Sequence, residues 1–472
     1  MLSTVNAART TAVHRTVAVV GVAAALGYLV ALAWAMGNVS YDVWGAMVVG
    51  PVLVAVSVPL LERIGRADPD RRVVRLLFLA FAAKMAGGLV RYAVTFEVYG
   101  GRADAGGYHG SGRRLATAFW DGTWDRVLQQ EVPELAGTEF IRLVTGAVYV
   151  VTGPTKLGGF LVFAWLGFWG LVCLFRAFRV AFPGGDHWRY GILLFFLPSL
   201  LYWPSSLGKE SWMLFAVGIS AYGAALVLSH RPHGYLVLVL GFAATAAVRP
   251  HVTLLLFVAL FVAVLLRRRS WRETRLGLLG RIAGLAVLVG IGTVVFAQTA
   301  DFFNVDNLDR TSVDEVLDRA SEQSAGGTSE FEAPRLTSPA EYPYAFLTVV
   351  FRPLPWEANN TPALVAATEG FILLVLTVCS VRRLVRLPGY FLRVPYVAFA
   401  ATYVGLFVLA FSSIANFGLL TRQRTQVLPF FLVLLAIPAV GRSQQLATER
   451  AVAKTAARVE HQPRPLGNRI QR

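Results

Sequence analysis

The densest set of reactive side chains lies between residues 102 and 114. It holds Asp104, Tyr108, His109 and three arginines, Arg102, Arg113 and Arg114, interleaved with Gly106, Gly107, Gly110 and Gly112. A carboxylate in such a place could act as a general base toward a hydroxyl group. Paired glycines allow the turn and close approach that a bound substrate needs. After Tyr108, the residues Leu115, Ala116, Ala118, Phe119 and Trp120 stand opposite Arg113, Arg114 and Thr117. That pattern predicts a helix lying along a membrane interface. The blander reading is a solvated loop in which Asp104 caps the helix.

Four further places put ionisable groups beside helix-breaking residues. Lys209 and Glu210 end the segment from Leu201 to Glu210; Arg249 and His251 flank Pro250; Arg352 and Glu357 bracket Pro353 and Pro355; Arg422 and Arg424 follow Gly418. Arginine forms two parallel hydrogen bonds with phosphate oxygens. Together these segments predict an outward-facing cavity for an anion, with Tyr108, His109, Arg113, Lys209, Glu210, Arg249, His251, Arg352, Glu357, Arg422 and Arg424 as binding groups. Each has a structural alternative: Lys209–Glu210 as an ion pair at a helix end, Arg249 and His251 snorkelling to the interface, and Arg422 and Arg424 as anchors of a helix end. Lys84 and Arg91, seven apart in one apolar run, share a helical face expected to look inward; Arg142 is read the same way.

The elements that position these groups follow from composition. Of 472 residues 56% are hydrophobic and only 15% are charged, against about 25% in soluble domains. Many apolar runs reach the ~18 residues that cross a bilayer. Spans are expected at 17–36, 43–61, 74–95, 157–176, 190–206, 211–229, 235–249, 251–266, 282–299, 362–381, 393–412 and 426–441, the seventh and eighth short enough to be broken halves. The fold class expected is all-α: a polytopic transmembrane bundle of about twelve spans, forming one domain over 1–441 with a basic, disordered tail over 442–472.

Charge supports that count. Lys and Arg number 44 and Asp and Glu 28, a net charge of +16. The excess collects in every second loop: Arg63 to Arg75, Arg176 to Arg189, Arg231, Arg267 to Arg275, and Arg382 to Arg386. Positive loops face the cytoplasm, so both termini are expected inside the plasma membrane and the polar segments above outside it. The excess therefore reflects topology, and no nucleic-acid partner is expected. Two loops are long, 96–156 and 300–361. The second opens with Asp301, Asp306, Asp309, Asp314, Glu315, Asp318 and Glu322, with a short helix expected over 313–320 and a mobile stretch over 321–329.

No phosphate-binding loop, dinucleotide fingerprint, zinc-protease helix or nucleophile elbow is present. Cys173 and Cys379 lie in apolar runs and suggest no disulfide framework. No cofactor is specified; Asp104, Glu357 and the acidic loop offer oxygen ligands that a divalent cation could use.

An Asp followed by Tyr108-His109 and an interfacial helix resembles the first outer loop of the GT-C glycosyltransferases, polytopic enzymes that use polyprenyl-phosphate sugars. The segments 198–210, 249–251 and 352–357 resemble membrane proteins of that general type from bacterial polysaccharide loci. Two departures stand out: Asp104 follows the third span rather than the first, and its neighbours are alanines. The resemblance implies transfer of a sugar from a polyprenyl-phosphate carrier to a glycan, lipid or protein acceptor, for cell-surface glycan synthesis, with Asp104 as catalytic base. An O-antigen-polymerase or ligase type of enzyme on polyprenyl-diphosphate glycans, driven by Arg352, Arg422 and Arg424, is the alternative. A lipid-linked sugar flippase or transporter stands third.

Overall fold

Long apolar runs fold as helices because a helix satisfies its own backbone groups, which lipid cannot do. The computed structural model describes residues 2–101, 104–267, 290, 292–301, 321–322, 324, 330–334, 338–358 and 361–439, with side chains from 19 onward. The acidic residues Asp306 to Asp318, the expected helix over 313–320, most of the stretch 321–329, the start of the expected span at 282–299 and the tail over 442–472 lie outside these residues. Among the described residues the fold is all-helical, without a named strand.

In chain order the helices are α1 (Leu2–Asn38), α2 (Tyr41–Arg66), α3 (Arg72–Ala93), α4 (Asp104–Trp120), α5 (Trp124–Glu131), α6 (Gly137–Thr152), α7 (Lys156–Ala181), α8 (His187–Phe196), α9 (Pro198–Tyr202), α10 (Lys209–Leu228), α11 (Gly234–Ala246) and α12 (Pro250–Leu265). There follow α13 (Tyr342–Phe351), α14 (Thr361–Cys379), α15 (Pro395–Phe411), α16 (Phe417–Gln423) and α17 (Leu428–Leu435), with two short helical turns, Val381–Leu384 and Leu387–Phe391, between α14 and α15. Among the described residues five segments are long and apolar enough to cross a membrane: Val19–Asn38, Tyr41–Arg66, Arg72–Val98, Lys156–Ala181 and Lys209–Leu228. Four shorter apolar helices, Gly234–Ala246, Pro250–Leu265, Ala363–Cys379 and Pro395–Phe411, also fall on expected spans.

Two expected spans take a different form. The run 190–206 is interrupted at Leu197, whose ψ of 123° is extended, because Pro198 disfavours helix in the residue before it. The run 426–441 contains only the eight-residue α17 after a 3-10 turn, Arg424–Gln426. The segment 96–156, expected as a loop with an interfacial helix and a half-buried helix around Arg142, carries α4, α5 and α6.

The chain divides into two units, one of residues 1–169 and 201–213, the other of 170–200 and 214–472. In the first, Ala46, Val49, Leu53 and Leu161 form a buried cluster between α2 and α7. Val19, Leu26, Val30 and Trp34 of α1 and Val48, Val52 and Val56 of α2 are exposed. Apolar side chains turned outward in this way suit lipid as the surrounding medium. In the second unit, α12 packs along α15, and α15 along α17. Arginines from two segments, 189 and 383–386, meet beside the carbonyls of 437–438. Arg383 reaches Asp186 at 3.3 Å and donates to the Ile437 carbonyl at 2.7 Å; Arg189 donates to Ser380 at 2.7 Å; Arg386 donates to the Pro438 carbonyl at 3.4 Å.

Candidate functional site

In the first unit, the packing of α4 on α6 builds the site. Gly112 faces Thr145 and Gly146 faces Leu115, each so close that a β-carbon on either glycine would lie 2.5 to 2.8 Å from its neighbour. The helices run antiparallel, so residues three positions outside these glycines also meet. His109 and Tyr149 are such a pair, and His109 Nδ1 lies 2.8 Å from the Tyr149 hydroxyl. Both side chains are buried.

Asp42, in the first turn of α2, completes the arrangement. Its Oδ2 lies 2.7 Å from Lys156 Nζ at the start of α7, and its Oδ1 lies 3.8 Å from His109 Nε2. The backbone fixes this corner. Lys156 N–H donates to Asp42 Oδ1 at 3.4 Å, the Thr155 hydroxyl to the Asp42 carbonyl at 3.1 Å, and the Tyr41 hydroxyl to the Thr152 carbonyl at 2.6 Å. Gly153, at φ 74°, makes the turn between α6 and α7; it lies against Tyr41 and has no β-carbon to clash with it.

The electrostatics follow. Burial pushes the His109 imidazole below its ordinary value, Asp42 opposes that, and Lys156 and Arg113 reinforce it. His109 is therefore neutral at pH 7. With its proton on Nε2, toward Asp42, Nδ1 accepts from the Tyr149 hydroxyl. Burial, with Asp42 adding, raises the Tyr149 phenol far above its ordinary value and keeps it protonated. The result is a carboxylate, imidazole and phenol in series. The carboxylate remains 30% exposed and is compensated by one ammonium. Such a carboxylate can accept a proton from a hydroxyl that reaches it.

The other expected site residues of this unit are placed around it. Asp104 opens α4 and is exposed. Arg113 is exposed, while Arg114 pairs with Glu131, whose carbonyl also accepts from Arg142 at 3.2 Å. Tyr108 is buried beside Gly208, and the Glu210 carboxylate lies on the same glycine. Lys209 and Glu210 are the first residues of α10, both half-buried.

The remaining expected residues belong to the second unit. Arg352 is held firmly. Its Nε and Nη2 lie 2.8 and 2.6 Å from Glu357 Oε1, Nη1 donates to the Tyr344 hydroxyl at 3.1 Å, and its guanidinium sits 4.8 and 5.1 Å from the rings of Phe331 and Phe417. Arg424 is completely buried and donates through Nη1 to the Arg352 carbonyl at 2.9 Å. Arg422 is half-buried. Arg249 is the buried N-cap residue of α12, and the His251 ring lies 5.9 Å from that of Phe411. Arg352 and Arg424 are thus engaged by protein groups, which leaves them less able to hold an external anion than their sequence positions imply.

Among the described residues no three His, Cys, Asp or Glu side chains gather as metal ligands. Asp306 to Asp318, expected as oxygen ligands, lie outside those residues.

Sequence reasoning passed over Asp42, Tyr149 and Lys156. Asp42 and Lys156 are charged residues at the ends of apolar runs on the side assigned as outer, and that pairing was the available signal. Tyr149 lies in an apolar stretch and carries none. No protein-family model, curated protein or solved structure matches this chain.

Proposed function

We propose that the chain is a membrane glycosyltransferase of GT-C type, transferring a sugar from a polyprenyl-phosphate carrier to a hydroxyl acceptor on the outer face of the plasma membrane, with both termini in the cytoplasm. The observation that carries this reading is the Asp42–His109–Tyr149 series with Lys156. It is a solvent-reachable carboxylate at the end of an apolar helix, among helices long and apolar enough to cross a bilayer. The acceptor hydroxyl gives its proton to a carboxylate. Its oxygen attacks the anomeric carbon, and the bond from that carbon to the carrier's phosphate oxygen breaks, releasing polyprenyl phosphate. Sugar transfer of this kind needs a base and an anion-holding group, and no nucleophilic side chain.

Asp42 is a better placed base than Asp104, because Asp42 has a fixed orientation and a neighbouring imidazole while Asp104 is exposed at a helix start. The glycan-polymerase alternative depends on Arg352, Arg422 and Arg424, of which the first pairs with Glu357 and the last bonds a backbone carbonyl. The test is reconstitution of the purified chain in vesicles with a radiolabelled polyprenyl-phosphate sugar and candidate acceptors. Asp42→Asn is expected to lower transfer by about 10²- to 10⁴-fold, with Asp104→Asn affected less. Full activity in Asp42→Asn, or loss confined to Arg422→Ala, would reject this assignment.

A further inference from the structure

Arg91, a buried cation of the first unit, has no acidic partner among the described residues to explain its burial. Arg91, in the last turn of α3, is only 9% exposed. Its Nη1 donates to the Tyr202 hydroxyl at 2.8 Å, and its guanidinium lies 4.7 Å from the Tyr202 ring and 4.8 Å from the Trp203 ring. Those rings stand at 76° to each other and form two walls of a corner. Nε is buried without a hydrogen-bond partner. Among the described residues no carboxylate pairs with this guanidinium, unlike Arg352, which has Glu357, and Arg383, which has Asp186. A buried charge is costly when unpaired.

A second observation points to the same place. Thr95 follows Arg91 by four residues and so lies on the same helical face. It is fully buried, and its hydroxyl also has no hydrogen-bond partner. It sits in the π-helical turn Val94–Val98 that ends α3, a distortion that recurs at functional sites. The facing wall is the break between α9 and α10, where Gly87 admits the carbonyl of Leu201. The two unsatisfied groups are one helical turn apart, and Tyr202, which accepts from Arg91, still has its own hydroxyl hydrogen to donate.

We infer that Arg91, Thr95 and Tyr202 form a binding site for the phosphate group of a membrane lipid. The Nε/Nη2 edge of arginine matches two oxygens of a phosphate, and the two hydroxyls supply donors for a third. A tetrahedral anion uses all of these, whereas a planar carboxylate uses the arginine edge alone. The site lies near the end of Arg72–Val98, a segment long and apolar enough to cross a bilayer, and the ends of such segments meet lipid headgroups. The inference deepens the transferase reading by naming the group that holds the donor's phosphate, and it rests on that reading only for which lipid is bound. Free phosphate is the other source of the same chemistry.

The test is binding of dodecyl phosphate, inorganic phosphate and dodecanoate to the full chain in neutral detergent, followed by tryptophan fluorescence and thermal shift. Dodecyl phosphate is expected to bind more tightly than either competitor. Arg91→Gln should weaken it by at least about tenfold, and Arg91→Lys by less, because an ammonium keeps the charge but loses the fork. Thr95→Val, which keeps the side chain's shape, should weaken it by about threefold or more, and it carries the test if Arg91→Gln does not fold. Unchanged affinity in Arg91→Gln or Thr95→Val, or dodecanoate binding as tightly as dodecyl phosphate, overturns the site. Inorganic phosphate binding as tightly as dodecyl phosphate overturns its assignment to a lipid. This binding test contains no sugar, so intact binding here alongside absent transfer in the vesicle assay would reject the transferase reading alone.

Discussion

Asp42 and Asp104 are the same chemical group in two settings, and the setting separates them. Asp42 is oriented by Lys156 and faced by an imidazole; Asp104 begins a helix and is exposed. The neutral state of His109 makes a testable difference at this scale. Its folded value is depressed, so between that value and the ordinary ~6.5 the unfolded chain binds the proton more readily than the folded one. The stability linked to His109 is therefore complete above about pH 6.5 and is lost as pH falls through that window. Thermal unfolding in detergent should show wild type losing stability between neutral and mildly acid pH, with the slope reduced in His109→Phe. An equal slope in both would remove His109 from this role. His109 stood out in the sequence as a candidate binding group; its partner did not, since Tyr149 lies forty residues away.

Helices set how accurately these residues meet. The sequence pattern predicts a helix near residues 108–120, and α4 covers it. What the pattern does not contain is the antiparallel contact with α6, which depends on Gly112 and Gly146 meeting Thr145 and Leu115. Small residues let helix backbones approach closely. Gly112→Val would place atoms where Thr145 already sits, overpacking the contact at a cost of about 1–3 kcal/mol. The expected outcome is a folded but less stable chain whose transfer activity falls with the loss of the His109–Tyr149 bond; a chain of unchanged stability and activity would show that the contact does not position the pair. The break at Leu197-Pro198 belongs to the same scale. Proline was visible in an apolar run that hydropathy alone reads as one continuous span.

The second unit depends on a buried polar connection among distant parts of the chain. Glu369, 5% exposed, accepts from the Ser199 N–H at 2.6 Å, while Arg424 holds the Arg352 carbonyl at 2.9 Å. Burial disfavours the charged Arg424, and Glu369 is the acid that opposes this. Arg424→Met would leave the Val350 and Arg352 carbonyls without their donor and remove the cation nearest in effect to Glu369, for an expected loss of about 1–3 kcal/mol. Arg424→Met with Glu369→Gln should recover part of it, with a coupling of about 0.5–3 kcal/mol, read from unfolding midpoints in a double-mutant cycle. Strict additivity would show that the two groups do not interact. Arg424 was expected to face an outer cavity; its complete burial is a matter of how the surrounding helices pack, which hydropathy and loop charge do not encode.

The sequence by itself determined the all-helical character seen in the described residues and the presence of segments able to cross a membrane. Apolar run length and the cost of bare backbone in lipid leave no other solution for such composition. It also marked 102–114 as rich in polar chemistry. Only the tertiary structure decided which polar groups act together. Asp42 and Lys156 are 114 residues apart, and Arg91 and Tyr202 are 111 apart. Run length is a property of each segment alone, whereas these pairings depend on which glycines let which helices approach.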